Sequence, residues 1–291
     1  ETGAYPAPVR QLLGEMAAAG VLMQGNIKFN GALVLQIFGD GPVKLAVVEV
    51  QPDLSLRATC TQVGEVSNQA SLSQMVNVHN EGRCAITLDP QDRLPGQQPY
   101  QGVVPLFGDR GEKLENISEV LEHYMLQSEQ LDTVLVLAAD EKVAAGLLIQ
   151  RLPVTGENNL AGSREANQAN EDEIGLNEHY NRIAILASTL KAEELLTLDA
   201  DTILRRLFWE ESITRFEPAT PSFACSCSRE RVARMLRGLG REVMAVARAR
   251  GVQPLGFNGF DPLAFMPEAE PTPSPKPVTK PKPTSAPPRR R

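Results

Sequence analysis

Cys225-Ser226-Cys227 places two thiols one residue apart. At that spacing a thiol pair can ligate one metal ion or close a small, strained disulfide ring. Arg229, Arg231 and Arg234 follow, and nearby positive charge favours the thiolate, raising both reactivity and metal affinity. A helix starting after Ser228 would add its N-terminal dipole to the same effect. The pair is half of a tetrahedral site, and spacing alone leaves open the plainer alternative of two thiols in an exposed loop. The other two cysteines, Cys60 and Cys84, lie at the end and the start of strand-like runs. They read as small buried hydrophobes rather than redox groups.

The remaining chemistry-bearing residues do not assemble. His79, His123 and His179 stand far apart, and none falls in a metal-ligand spacing such as H-E-x-x-H. His123 reads as a surface or boundary residue on a helix. Gly39-Asp40-Gly41-Pro42 lacks the Lys and Ser/Thr of a phosphate loop and does not open a helix, so it reads as a hairpin turn. There is no G-x-S-x-G nucleophile turn. No catalytic residue is assigned, and the chain does not read as an enzyme.

Residues 1–155 read as strands with a few helices. Val9, Leu12, Leu13 and Met16 recur at helical spacing within Pro8 to Ala19. Ile27 to Phe38, Leu45 to Val50, Leu56 to Val63, Cys84 to Leu88 and Gln101 to Leu106 have strand character. Ser118 to Gln127 is helical, with Val120, Leu121 and Tyr124 on one face, and Thr133 to Ala139 and Ala144 to Leu152 are two apolar strands. Strands in a run with segregated helices predict an α+β fold with a mostly antiparallel sheet. Residues 156–224 form a linker region that opens with the polar stretch Gly156 to Glu173 and continues as helices. Ile183, Leu186 and Leu190 share one helical face, and Ile203, Leu204, Leu207 and Phe208 another, beside Trp209, with Asp201 as the predicted N-cap. Helices this short are marginal alone and need a surface to dock on.

Residues 225–266 carry the thiol pair and then Arg229 to Arg250, where Val232, Met235, Leu236, Leu239, Val243 and Val246 keep helical spacing beneath seven arginines. Gly238 and Gly240 each cost on the order of 1 kcal/mol relative to Ala, which predicts a frayed helix. Residues 267–291 hold nine of the 22 prolines and read as an extended, disordered tail. The chain's net charge is −7, from 29 basic and 36 acidic residues. Six basic against two acidic residues give the tail +4, so −7 less +4 leaves −11 for residues 1–266. The arginines and the basic tail raise an alternative, a protein that binds nucleic acid or an anionic surface. Repulsion by the acidic body and the lack of an aromatic stacking series oppose it.

With 42% hydrophobic and 22% charged residues, the composition excludes a wholly disordered or collagen-like chain. No apolar run nears the roughly 18 residues of a membrane span. The chain opens on Glu1-Thr2-Gly3, without an initiator Met or a basic-then-apolar leader. Four cysteines in 291 residues are no secreted disulfide scaffold, so a reducing cytoplasm is the default expectation.

Phe223-Ala224-Cys225-Ser226-Cys227-Ser228-Arg229-Glu230-Arg231 resembles the zinc-centre entry of the 33 kDa chaperonin family, the redox-regulated heat-shock holdases of bacteria. Tyr5-Pro6-Ala7-Pro8-Val9, Phe38-Gly39-Asp40-Gly41-Pro42, Tyr100-Gln101-Gly102-Val103-Val104 and Ser128-Glu129-Gln130-Leu131 are similar to that family's body. Ala145-Gly146-Leu147-Leu148-Ile149-Gln150 and Glu193-Glu194-Leu195-Leu196-Thr197-Leu198 continue the likeness, which covers about residues 5–243. The resemblance implies a chaperone that works without ATP, binds unfolding proteins under oxidative or heat stress, and forms homodimers on activation. It implies that Cys225 and Cys227 are the redox-active pair and zinc ligands, which in the family are completed by a C-x-x-C pair. Oxidation there forms disulfides, releases zinc and unfolds the linker helices. Ile183, Leu186, Leu190, Ile203, Leu207, Phe208 and Trp209 are the client-binding residues on this reading. Two departures stand out. The family has a strand and a helix ahead of the Tyr5 segment that have no counterpart here, and no cysteine follows Cys227. Residues 225–266 are therefore expected to be the remnant of a redox zinc module, with zinc held weakly or not at all and the switch impaired.

Overall fold

The computed structural model describes residues 3–92, 96–151 and 174–225, with side chains in the last stretch from Glu178 onward. All of them belong to one unit, Glu1–Cys225. Five antiparallel strands and one short parallel strand form its main sheet. They are β1 (Gly31–Phe38), β2 (Val43–Val50), β3 (Ser55–Gln62), β4 (Arg83–Pro90), β5 (Tyr100–Pro105) and β8 (Ser222–Phe223). The spatial order is β5-β4-β1-β2-β3-β8, and β8 is the strand that runs parallel to its neighbour. Strands β6 (Thr133–Ala139) and β7 (Ala144–Gln150) make a separate two-stranded hairpin. The mixed α+β architecture with a mainly antiparallel sheet agrees with the sequence expectation.

Helix α1 (Ala7–Asn26) lies between these two sheets, touching β1, β2 and β3 on one side and β6 and β7 on the other. That position explains a sequence with little polar face: Val9, Leu12, Met16, Ala19 and Met23 are buried, and Ala17, Val21 and Leu22 pack against the same core. A helix apolar on most sides is stable only when covered on most sides. The expected end near Ala19 is overrun by seven residues. Burial of Leu22 and Met23 outweighs the roughly 1 kcal/mol that Gly20 costs in a helix interior. The opposite shortening occurs at β1, which begins at Gly31 rather than Ile27.

Helix α2 (Leu72–Val76) is a single turn that the sequence pattern did not reveal. Helix α3 (Ile117–Glu129) buries Val120, Leu121 and Tyr124, the three residues expected on its inner face. Asn116 and Glu119 form a capping box at its start. Gly102 on β5 lies directly under Tyr124: a Cβ there would stand 2.1 Å from the phenol oxygen. The Gly39-Asp40-Gly41-Pro42 turn joins β1 to β2 as expected. Its Asp40 carboxylate accepts backbone N–H bonds from Val78, His79 and Glu81 at 2.6, 2.8 and 2.9 Å, tying the turn to the loop before β4.

Three further helices, α4 (Ile174–Ser188), α5 (Ala192–Thr197) and α6 (Ala200–Leu207), follow. Asp199, not the expected Asp201, caps α6, accepting the Thr202 N–H at 3.0 Å. Asp201 lies inside the first turn, where its charge still complements the helix dipole.

Candidate functional site

The hairpin β6–β7 has two apolar faces. Leu135, Leu137 and Leu148 point into the main core with α1 and α3. Val134, Val136, Ala138, Ala145, Leu147 and Ile149 point the other way and pack against the linker helices. A strand alternates polar and apolar when one face is wet, and reads as an unbroken apolar run when both are covered. The runs Thr133–Ala139 and Ala144–Gln150 are of the second kind, which was the available signal that something must cover the hairpin's outer face. Gly146 keeps the inner face close, since a Cβ there would meet Leu22 Cδ1 at 2.7 Å.

The cover is small. Ala187, Leu190, Leu195, Ile203, Leu207 and Phe208 are its buried residues, with Ile183, Leu186, Leu196 and Leu204 partly buried around them. At its solvent side four ion pairs join its parts: Arg206 with Glu194, Arg182 with Glu211 at 2.5 Å and with Glu210 at 4.0 Å, and Arg215 with Asp201 at 2.7 Å. Exposed pairs of this kind contribute at most about 1 kcal/mol each. Near the start of α4, burial, followed by the nearby Asp132 and Glu122 carboxylates, raises the Tyr180 phenol above its ordinary pKa. Glu122 accepts the outward N–H of Leu135 at 2.7 Å and so blunts the free edge of β6.

Of the residues singled out in the linker, Ile183, Leu186, Leu190, Ile203, Leu207 and Phe208 are brought together against the hairpin. Trp209 is not among them; it stands 74% exposed, and Phe216 further on is 86% exposed. Beyond them the chain returns to the main sheet as β8. Ser222 N donates to Leu54 O at 3.3 Å and Ala224 N to Leu56 O at 3.1 Å. Cys225 follows at once and is exposed. Cys227, Arg229 to Arg250 and the tail lie outside the described residues, as does the polar stretch Gly156 to Glu173.

Cys60 and Cys84 sit in one cross-strand row, Cys84–Ile37–Ala46–Cys60, through β4, β1, β2 and β3. Three strand spacings separate them by ~14 Å, too far for a disulfide or a shared metal ion. Burial pushes the Cys84 thiol up to about 12 and the Cys60 thiol up to about 11. Tyr5 occupies the free backbone of Cys60: its hydroxyl accepts the Cys60 N–H at 3.1 Å and donates to the Cys60 carbonyl at 3.2 Å. Among the described residues no group of His, Cys, Asp or Glu converges on a metal position. Cys225 is the one described member of the expected zinc-ligand pair, and Cys227 lies outside the described residues. No described helix is long and apolar enough to cross a membrane.

Fold and site together define a chain whose apolar hairpin is covered on its outer face by helices that lead on to a cysteine-bearing segment. The chain belongs to the Hsp33 protein family, whose model matches residues 1–251, a little beyond the expected span. It is 46% identical over 237 residues to a 33 kDa chaperonin of Chromobacterium violaceum, covering 81% of this chain and 71% of that one. A 33 kDa chaperonin of Methylobacillus flagellatus is 43% identical over 242 residues, 83% of this chain and 73% of its own. The crystal structure of the 33 kDa chaperonin from Thermotoga maritima shares the fold, with a TM-score of 0.59 at 19% identity over 84% of this chain and 77% of that one. Chaperone function follows from the family.

Proposed function

We propose that the protein is a holdase that captures unfolding polypeptides on the outer face of the β6–β7 hairpin and on the linker residues that cover it. One observation carries the reading: Val134, Val136, Ala145, Leu147 and Ile149 form an apolar surface that, among the described residues, is covered by α4, α5, α6 and Phe208. Release of the cover exposes that surface and, on the linker itself, Leu190, Ile203, Leu207 and Phe208 beside Trp209. Binding through buried apolar area needs no nucleotide, because the driving force is removal of that area from water.

On this proposal the labour divides along the chain. Residues 1–155 are the platform, 156–224 the switch, 225–266 a reduced redox module and 267–291 a tail. Cys225 and Cys227 are its redox pair. Hydrogen peroxide would take both thiols to one disulfide and two waters, with both sulfurs oxidised and both peroxide oxygens reduced. Cys225 lies two residues past the end of β8, so a disulfide at this point would pull on the segment that anchors the linker to β3. The described residues hold Cys225 of the thiol pair, so the redox step is written on the two thiols alone. The decisive experiment is suppression of thermal aggregation of a model client with reduced and peroxide-treated protein. Protection that rises on oxidation supports a working switch, and equal protection in both states means an unregulated holdase. The absence of protection in either state overturns the proposal.

A further inference from the structure

The chaperone reading places clients on the hairpin, yet the outermost strand of the main sheet also offers an extended chain a place to bind. Strand β5 ends the main sheet and, among the described residues, pairs with β4 alone. Leu106 N donates to Gly82 O at 3.1 Å, which sets the alternation along the strand. Tyr100, Gly102 and Val104 turn their backbone toward β4, and Gln101 and Val103 turn theirs outward. Pro105 closes the outward row with a residue that has no N–H. Tyr100 and Val103 are 51% and 49% exposed. Behind Tyr100 an apolar pocket opens into the core between the ends of α1 and α3, lined by Met23, Ile27, Leu88, Met125 and Leu131. Gly102, which contributes no side chain, leaves Tyr124 as the pocket's inner wall. At the rim, the Glu129 carboxylate accepts hydrogen bonds from Tyr100 at 3.1 Å and Tyr124 at 3.3 Å.

We propose that the outer edge of β5 and the pocket behind it form a second client site, which takes an extended apolar peptide without acidic residues by strand addition. The proposal rests on the chaperone reading and deepens it. Outward N–H and C=O groups at Gln101 and Val103 require an extended backbone as partner, and the pocket gives alternate side chains a dry place to go. The Glu129 carboxylate and the −11 charge of residues 1–266 disfavour acidic segments. The same charge, and an edge offering only two outward residues, disfavour a second copy as occupant. Such an edge falls far short of the roughly 1,200 Å² that a stable dimer buries.

The test is binding of a fluorescein-labelled peptide, Lys-Val-Thr-Leu-Thr-Val-Lys, to the full reduced chain by anisotropy. Val103→Pro removes one outward N–H and should weaken binding about five-fold, the worth of one hydrogen bond. Val103→Thr, which keeps the N–H and the branched Cβ, should stay within two-fold. Ile27→Glu at the pocket rim leaves the ladder untouched and should weaken binding by about ten-fold or more. With peptide bound, the Gln101 and Val103 amides should exchange more slowly. Unchanged binding in folded Val103→Pro and Ile27→Glu overturns the proposal. So does protection appearing on β6 and β7 instead, or concentration-dependent self-association that accounts for the signal. Loss of oxidant-dependent aggregation suppression with peptide binding intact would strike the hairpin reading and leave this one standing.

Discussion

Replacing Phe208 by Ala should release the linker without unfolding the platform. Phe208 is buried against Ala138, Leu190, Leu195 and Leu207, and its N–H closes α6 by bonding Leu204 O at 2.8 Å. Truncating a buried Phe costs about 3–5 kcal/mol in a rigid core. The linker's cluster is small and partly wet, so the lower end applies. About 3 kcal/mol shifts the equilibrium between docked and released linker by roughly two orders of magnitude. The core around Leu33, Leu35, Ile37 and Val48 shares no contact with this residue and should not respond. Hydrogen exchange read residue by residue separates the two. Amides of Ala192–Leu207 should exchange about 100-fold faster, while those of β1 and β2 keep their rates, and aggregation suppression should appear without peroxide. Unchanged linker exchange would refute the reasoning. Acceleration of the sheet amides in step with the linker would also refute it, because cover and platform would then be one cooperative unit.

Three other outcomes follow from the same structure. Gly102→Ala drives a methyl into Tyr124 and should lower global stability by about 2 kcal/mol, seen as a lower urea midpoint with an unchanged slope. At Asp40, burial alone would raise the carboxyl pKa, but the N–H donors of Glu81, His79 and Val78 hold it below the ordinary value. A lowered folded-state pKa means stability that is present above the usual carboxylate range and lost as pH falls through it. Urea melts between pH 5 and pH 3 should therefore show a steeper loss in the parent than in Asp40→Asn. In native-state labelling at pH 8, thiols near 11 and 12 have thiolate fractions of only about one in a thousand and one in ten thousand. Maleimide should therefore modify Cys225 well before Cys60 or Cys84.

Most of the platform was legible in the sequence because its signals are local. Short strand-like runs gave β1 to β7 to within a few residues, and the spacing of Val120, Leu121 and Tyr124 gave α3. What was not legible depended on distant partners. The extension of α1 past Gly20 depends on Leu22 meeting a hairpin more than a hundred residues away. Strand β8 is two residues long and exists only because β3 offers it an edge. The cap of α6 fell on Asp199 because it precedes the first helical residue, whereas Asp201 sits within the turn. The linker residues were recognisable as apolar helical faces. Their docking surface was not, although the unbroken apolar runs of β6 and β7 required a cover on both sides. The thiol pair was conspicuous in the sequence, and Cys225 lies at the end of the described chain, where its chemistry has to be read in solution.

The central claim, that a releasable helical cover hides the client surface of the hairpin, is tested most directly by photo-crosslinking. A benzophenone side chain at position 136 or 147 should leave an unfolding client untouched in the reduced protein. It should capture the client once peroxide, or Phe208→Ala, has released the linker. Equal capture with the linker docked, or none after its release, would contradict the claim.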